Sequence, residues 1–159
     1  MRRIGWSGLA VLMAATLALA QGAPEKVITQ GGVSYVSGGI GTDSQERLQA
    51  IEKEFNLKLV FTLVEGNYLA DVAVTVRDAK GRTVAEHVAD GPFFMAKLPA
   101  GSYAVTASYE GKSQTRKVTV REGALRTEYL RWPSNPQEDL PVSRWLEPDA
   151  QPKPKKSGS

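Results

Sequence analysis

The sequence contains no cysteine and a single histidine, His87. Without cysteine the chain has no disulfide, no thiolate nucleophile and no lipid anchor of the lipoprotein type. An exported domain without disulfides must be held together by its hydrophobic core. The roughly 110 residues that precede a proline-rich tail are enough for the core of one domain.

The chain also lacks a hydrophobic run long enough to span a membrane. Its longest apolar segment, residues 8–19, is shorter than the roughly 20 residues that a transmembrane helix needs. The pair Arg2-Arg3 precedes this segment, and Ala18-Leu19-Ala20 supplies a small-x-small cleavage site. We therefore expect a signal peptide over residues 1–20, cleaved after Ala20 or alternatively after Ala23. The mature protein is expected to be periplasmic or secreted, without stable insertion in the membrane.

The mature chain carries almost no excess of positive charge once the signal peptide is removed. Loss of Arg2 and Arg3 lowers the formal net charge of the chain from +3 to +1. The remaining lysines and arginines are scattered along the sequence rather than clustered. A nucleic-acid-binding protein needs a basic face, so this class of function is excluded.

What the sequence does contain is a series of short segments with strand periodicity. Apolar residues alternate with polar ones near residues 57–63, 72–76, 83–88 and 102–109, and turn residues separate these segments. Asp78 and Gly81 stand first and fourth in one such turn, as a type I turn prefers. The pattern predicts a mostly β, antiparallel, Ig-like or prealbumin-like sandwich of about seven strands.

One helix is predicted, over about residues 43–56. Leu48, Ile51 and Phe55 recur at helical spacing and would face a core. Thr42 with Gln45, or Asp43 with Glu46, could form a capping box at its start. Asn56 would end the helix in a left-handed conformation.

The segment Leu98-Pro99-Ala100-Gly101-Ser102-Tyr103-Ala104-Val105 predicts a corner between two strands. Pro99 favours a type I turn, which Gly101 could close with a left-handed bulge, and Tyr103 stands where the tyrosine corner of Ig-like sandwiches has its phenol. The segment resembles the L-P-x-G-x-Y-x-V signature of carboxypeptidase regulatory-like domains, which have a prealbumin-like fold. Small exported proteobacterial proteins of this kind are also similar at residues 35–41, 68–72 and 89–92. The resemblance covers about residues 31–132 and implies a binding or folding module rather than an enzyme.

These observations divide the chain into four parts. Residues 1–20 form the signal peptide, residues 21–32 a leader with a possible edge strand, and residues 33–132 the sandwich domain. Residues 133–159 form a tail whose prolines are expected to prevent regular structure. Within the tail, Trp145 belongs to an apolar island that would dock either on the sandwich or on a partner, and we favour the sandwich.

No residue pattern in the sequence indicates catalysis. His87 stands next to Glu86 and near Asp90, but the sequence has no cysteine and no G-x-S-x-G motif to supply a nucleophile, so we expect no enzymatic activity and no cofactor. The phosphate-binding lysine of a P-loop is absent after the Gly38-Gly39-Ile40-Gly41 segment, although a helix start at that point could bind an anion. Asp43, Asp71, Asp78 and Asp90 lack EF-hand spacing, and we assign no metal.

The function expected from the sequence is therefore a non-catalytic binding module of the cell envelope with a protein or glycan partner. The alternative is a structural subunit of an envelope assembly that is tethered by its tail. A metal-dependent hydrolase is a third and weaker possibility. The candidate partner surface consists of Tyr35, Gly38, Gly39, Gly41, Tyr68, Asp71, Asp90 and Trp145.

Overall fold

The computed structural model describes residues 24–134, which form two β-sheets packed face to face beside one helix. This confirms the predicted sandwich, with nine strands rather than about seven. The strands are β1 Ile28–Gln30, β2 Val33–Gly38, β3 Leu57–Leu63, β4 Val72–Arg77, β5 Thr83–Ala89, β6 Phe93–Lys97, β7 Gly101–Tyr109, β8 Lys112–Val120 and β9 Arg126–Trp132. The predicted signal peptide and residues 135–159 of the tail, which include Trp145, lie outside the described residues.

The five-stranded sheet has the order β1-β2-β6-β3-β9, and the four-stranded sheet has the order β5-β4-β7-β8. All neighbouring strands are antiparallel except β3 and β9, which run parallel from Leu57 opposite Arg126 to Leu63 opposite Trp132. Beyond Val60, β3 is paired on its other side by the segment around Tyr68, which forms a bridge with Thr62. Strand β3 is therefore covered along both edges.

The main core lies between the two sheets and follows from the alternation seen in the sequence. Val72, Val74 and Val76 of β4 and Leu59 and Phe61 of β3 belong to this core, and all five side chains are buried. Trp132 joins them at the end of β9, where its indole N–H donates to the carbonyl of Lys112 at 2.8 Å. The smaller face of β7 points away from this core, as the sequence predicts.

The corner at residues 98–100 carries the chain from one sheet to the other. It joins β6 of the five-stranded sheet to β7 of the four-stranded sheet. The phenol of Tyr103 donates to the carbonyl of Pro99 at 2.6 Å, so the predicted tyrosine corner is present. Gly101 does not close a hairpin with a left-handed bulge: at φ 157° it opens β7 and pairs with Val120.

The predicted helix is shorter than expected and is capped differently. Helix α1 spans Thr42–Ile51, and a 3-10 turn follows at Glu52–Glu54. Both predicted capping boxes are wrong, because Gly41 is the N-cap residue and no side chain forms a capping hydrogen bond at the start of α1. Asn56 does not end the helix in a left-handed conformation. It is buried, and its amide group donates to the Leu98 carbonyl at 2.7 Å and accepts from the Leu98 N–H at 2.9 Å.

Helix α1 packs on the outer face of the five-stranded sheet, the face directed away from the other sheet. Its Leu48 meets Val36 of β2 and Met95 of β6 in a second, smaller core that Phe55 completes. No helix in residues 24–134 is long and apolar enough to cross a membrane.

Candidate functional site

Tyr35, the first residue of the predicted partner surface, is not on the surface. Only 4% of it is exposed, and its ring stacks on Phe94 with centroids 5.7 Å apart. Its hydroxyl donates to the carbonyl of Glu86 at 3.4 Å, which links β2 to the edge of the other sheet. The prediction for Tyr35 is wrong, because the residue belongs to the core between the sheets.

The glycines at the end of β2 are explained by packing. A Cβ atom on Gly39, where φ is 100°, would lie 2.2 Å from Cδ2 of Phe93. A Cβ atom on Gly91 would lie 2.4 Å from the carbonyl oxygen of Gly38. The loop is also tied internally, since the N–H of Gly39 donates to Ser44 Oγ at 2.7 Å. Gly38 and Gly39 therefore permit close approach of two chain segments, and neither forms an open ligand cradle.

Gly41 differs from these two glycines because the space around its Cα is open. Its φ of 81° and its place as the helix N-cap account for the residue type. The structure thus gives Gly41 a conformational role at the start of α1.

His87 and Asp90 meet Ser37 at the same end of the sandwich. Ser37 Oγ lies 2.9 Å from His87 Nε2 and 3.2 Å from Asp90 Oδ2, and it accepts the N–H of Asp90 at 3.1 Å. His87 Nε2 lies 3.7 Å from the same carboxylate oxygen. A catalytic relay needs the carboxylate on one imidazole nitrogen and the serine on the other. Here both contact Nε2, and Ser37 is buried, so the cluster joins β2 to β5 without forming a triad.

The aspartates considered for a metal site have separate local roles. Asp78 accepts the N–H groups of Lys80 and Arg82 at 2.9 and 3.0 Å, and the hydrogen bonds from Arg82 hold its pKa below the usual range. Asp71 is exposed, adopts φ 59°, and its N–H donates to the Ala89 carbonyl at 2.9 Å. Within residues 24–134 no three histidine or carboxylate side chains are grouped closely enough to hold a metal ion.

Of the two aromatic residues of the predicted surface that lie within residues 24–134, Tyr68 is exposed and Tyr35 is not. Tyr68 is 57% exposed and lies on the outer face of the five-stranded sheet, beside Thr62. Its ring meets the ring of Phe93 edge-on, with centroids 5.5 Å apart. The ammonium group of Lys58 lies 5.0 Å from the centroid of the Phe93 ring.

The strand register shows what else shares this face. Phe93, Val60 and Tyr129 stand side by side on β6, β3 and β9. Tyr129 is 55% exposed, and the guanidinium of Arg131 lies 5.6 Å from its ring centroid. Val64, which follows β3, is 63% exposed. We refer to Val64, Tyr68, Tyr129 and Arg131 as the outer patch.

The outer patch lies where helix α1 does not reach. The helix covers Val36 and Met95 on β2 and β6, whereas no element among residues 24–134 covers Tyr129 on β9. A groove of about 220 Å³ separates the two regions and is lined by Leu48, Lys58 and Phe93 among others. The patch thus combines aromatic rings, a cation and an adjacent concave border.

The outer face of the four-stranded sheet has a different character. Thr75, Thr106 and Thr115 stand side by side across β4, β7 and β8, and Thr106 Oγ1 lies 3.0 Å from Thr115 Oγ1. Val88 on β5 is 54% exposed but has no aromatic neighbour in its register row, which contains Ala73 and Ser108. Among residues 24–134, this face offers hydroxyl groups, methyl groups and the exposed Arg77 of β4, but no aromatic side chain.

Sequence reasoning did not identify Tyr129 and Arg131. Their signal was the alternation in β9, where Leu130 and Trp132 face the core, so Tyr129 and Arg131, which alternate with them, must face outward. Two other described members of the predicted surface do not converge with Tyr68: Tyr35 is internal, and Asp90 is hydrogen-bonded to Ser37.

None of the curated proteins matches the chain. A family model described as the Rhizobiales growth-associated tandem repeat domain matches residues 54–127. The matched region contains β3 to β8 and the start of β9, hence the whole four-stranded sheet, but not β1, β2 or α1. The match is not to the carboxypeptidase regulatory-like family that the sequence resembles, although the chain has the sandwich architecture of that family. Over residues 54–127 the chain is similar to a Rhizobiales growth-associated tandem repeat domain.

Proposed function

We propose that the chain is a non-catalytic interaction module of the cell envelope that binds a protein partner through the outer patch. Export to the periplasm or beyond rests on the signal sequence at residues 1–20. The observation that carries the proposal is the pairing of two half-exposed tyrosines, Tyr68 and Tyr129, on a sheet face that the helix leaves open.

The residue types in the outer patch favour a protein over a glycan. Tyrosine and arginine are over-represented among the residues that dominate the energy of protein interfaces. A sugar ring would need an open aromatic face on which to stack, but the guanidinium of Arg131 lies over the ring of Tyr129.

Two further features support an interaction role. The matching family is described as a growth-associated tandem repeat domain, a description that names no reaction. The Ser37–His87–Asp90 cluster does not have the geometry of a relay, so the most reactive side chains of the described region do not suggest catalysis.

The proposal can be tested with matched variants of the full chain immobilised and exposed to solubilised envelope proteins. Tyr68→Ser and Tyr129→Ser alter the outer patch, and Val88→Ser alters an equally exposed position on the opposite face. We expect one retained protein to be lost with each tyrosine variant and kept with Val88→Ser. The same protein, once purified, should bind each tyrosine variant about 10- to 30-fold more weakly, since an interface anchor contributes about 1.4–2 kcal/mol or more.

Equal retention by the wild-type chain and both tyrosine variants would overturn the proposal. Specific retention of a soluble cell-wall glycan that depends on Tyr68 and Tyr129 would replace the protein partner with a sugar. Loss of retention with Val88→Ser alone would move the site to the other sheet.

A further inference from the structure

The described chain ends at the border of the outer patch. Strand β9 finishes at Trp132, and Ser134 Oγ then donates to Glu65 Oε1 at 2.7 Å. Glu65 lies in the turn that joins Val64 to the segment carrying Tyr68. The tail is therefore anchored beside the outer patch at its first residues, and it continues from there.

The sequence of the tail complements the patch in polarity and charge. Leu140, Val142, Trp145 and Leu146 form its one apolar stretch, with acidic residues on both sides at 138–139 and at 147 and 149. On the patch, Arg131 forms no ion pair with any carboxylate of residues 24–134. An apolar segment flanked by carboxylates suits an exposed aromatic surface that carries an uncompensated guanidinium.

The length of the connection allows this contact without strain. Trp145 stands 11 residues after Ser134, and 11 residues span at most about 36 Å when extended. Tyr68 lies only three positions beyond Glu65 in sequence, and Tyr129 lies on the strand that the tail leaves. A short tether also supplies an effective concentration on the order of millimolar, so even a weak contact is substantially occupied.

We propose that the Leu140–Leu146 segment of this chain docks in cis on the outer patch, with Trp145 against the tyrosines and the flanking carboxylates near Arg131. The opposite face of the sandwich is a poorer acceptor because its threonine row offers no large apolar side chain. Docking would make the tail a built-in competitor of an external partner. This competition rests on the proposed function, whereas the docking itself does not.

The absence of native cysteine allows a direct test of docking in the full chain. Ala150→Cys introduces a unique thiol just after the acidic residues, and a nitroxide attached to it broadens nearby amide resonances in NMR spectra. We expect strong broadening at Thr62, Val64 and Arg131, with Thr75 and Thr106 on the opposite sheet unaffected. Broadening that is absent, uniform, or centred on the threonine face would overturn the proposal.

Two substitutions in the labelled chain separate docking from mere proximity of the tail. Trp145→Ser should remove the selective broadening, and Arg131→Glu should reduce it several-fold while leaving the amide spectrum of the core unchanged. Persistence of the full pattern in Trp145→Ser would show that the tether alone produces it and would contradict docking. The Arg144→Ser variant is the matched control, because it shortens a tail side chain without removing the apolar anchor.

Two further measurements test whether the docked tail belongs to the same chain or to a second copy, and whether it competes with the partner. In a mixture of isotope-labelled chain without nitroxide and unlabelled chain with nitroxide, cis docking predicts no broadening, whereas broadening would assign the tail to a second copy. Deleting residues 137–159 should raise partner affinity several-fold if the tail competes. If the selective broadening is observed but the deletion does not change partner affinity, the tail docks on the outer patch and the partner binds elsewhere.

Discussion

The two halves of the outer face of the five-stranded sheet are built from the same alternating strands but have opposite surroundings. Over β2 and β6, helix α1 buries Val36 and Met95 beneath Leu48. Over β3 and β9, Tyr129 stays more than half exposed, with Arg131 across its ring. The comparison separates apolar residues that stabilise the domain from apolar residues that remain available for contact.

The boundary between the halves runs along Phe93 and Lys58. Phe93 packs at the edge of the small core under the helix and also contacts Tyr68. Lys58 forms an ion pair with Glu52, which follows α1, and lies over the Phe93 ring. The helix is therefore positioned beside the outer patch rather than over it, and the domain keeps an aromatic surface that burial could have removed.

The largest effect on stability is expected from the covered half. Leu48→Ala removes a buried side chain that contacts Val36 and Met95, and we expect a loss of about 2–5 kcal/mol in the free energy of unfolding. Urea denaturation followed by circular dichroism measures this loss. Gln49→Ala on the exposed side of the same helix is the control and should change stability by less than about 0.5 kcal/mol. Similar values for both variants would mean that the helix does not contribute a core.

An intermediate effect on stability is expected at the ion pair between the N-terminal segment and helix α1. Glu25, whose side chain is 9% exposed, accepts from Arg47 at 2.8 and 3.0 Å and also from Ser44. The hydrogen bond from Arg47 is the main reason that the pKa of Glu25 falls from 4.5 to about 2. Because the folded state lowers this pKa, the stabilisation is complete above pH 4.5 and is lost as the pH falls towards 2.

Glu25→Gln should therefore lower the free energy of unfolding by about 1–3 kcal/mol at pH 7. The difference from the wild-type chain should shrink as the pH is lowered from 4.5 towards 2, which denaturant titrations at several pH values can follow. A difference that grows at low pH would have the wrong sign for this ion pair.

The smallest effect on stability is expected in the open half. Tyr129→Ser changes a side chain that is 55% exposed, and we expect a change within about 0.5 kcal/mol. The same substitution should nevertheless weaken partner binding. A thermal melt of Tyr129→Ser that matches Leu48→Ala would remove the distinction between the two halves.

Much of this architecture could be predicted from the sequence because it depends on local patterns. The alternation of Val72, Val74 and Val76 placed β4, and Asp78 with Gly81 placed the next turn, where Gly81 N–H bonds the Asp78 carbonyl at 2.9 Å. The tyrosine corner was also predictable, because donor and acceptor are four residues apart.

The misplaced residues are those whose environment comes from distant parts of the chain. Tyr35 stands next to a glycine-rich segment that suggests an exposed loop, yet its covering partners Glu86 and Phe94 are more than 50 residues away. Asn56 is typical of a helix end, but its amide group satisfies the backbone of Leu98. Nothing local in the sequence marks Tyr129 as a surface residue of interest, because its position beside Val60 depends on the parallel pairing of β9 with β3.

The most direct test of the central claim is the set of amide resonances of the full chain that shift when the purified partner is added. The account predicts shifts clustered at Thr62, Tyr68, Tyr129 and Arg131, with Thr75, Thr106 and Thr115 unchanged. Shifts concentrated on the threonine row of the four-stranded sheet, with the outer patch silent, would contradict it.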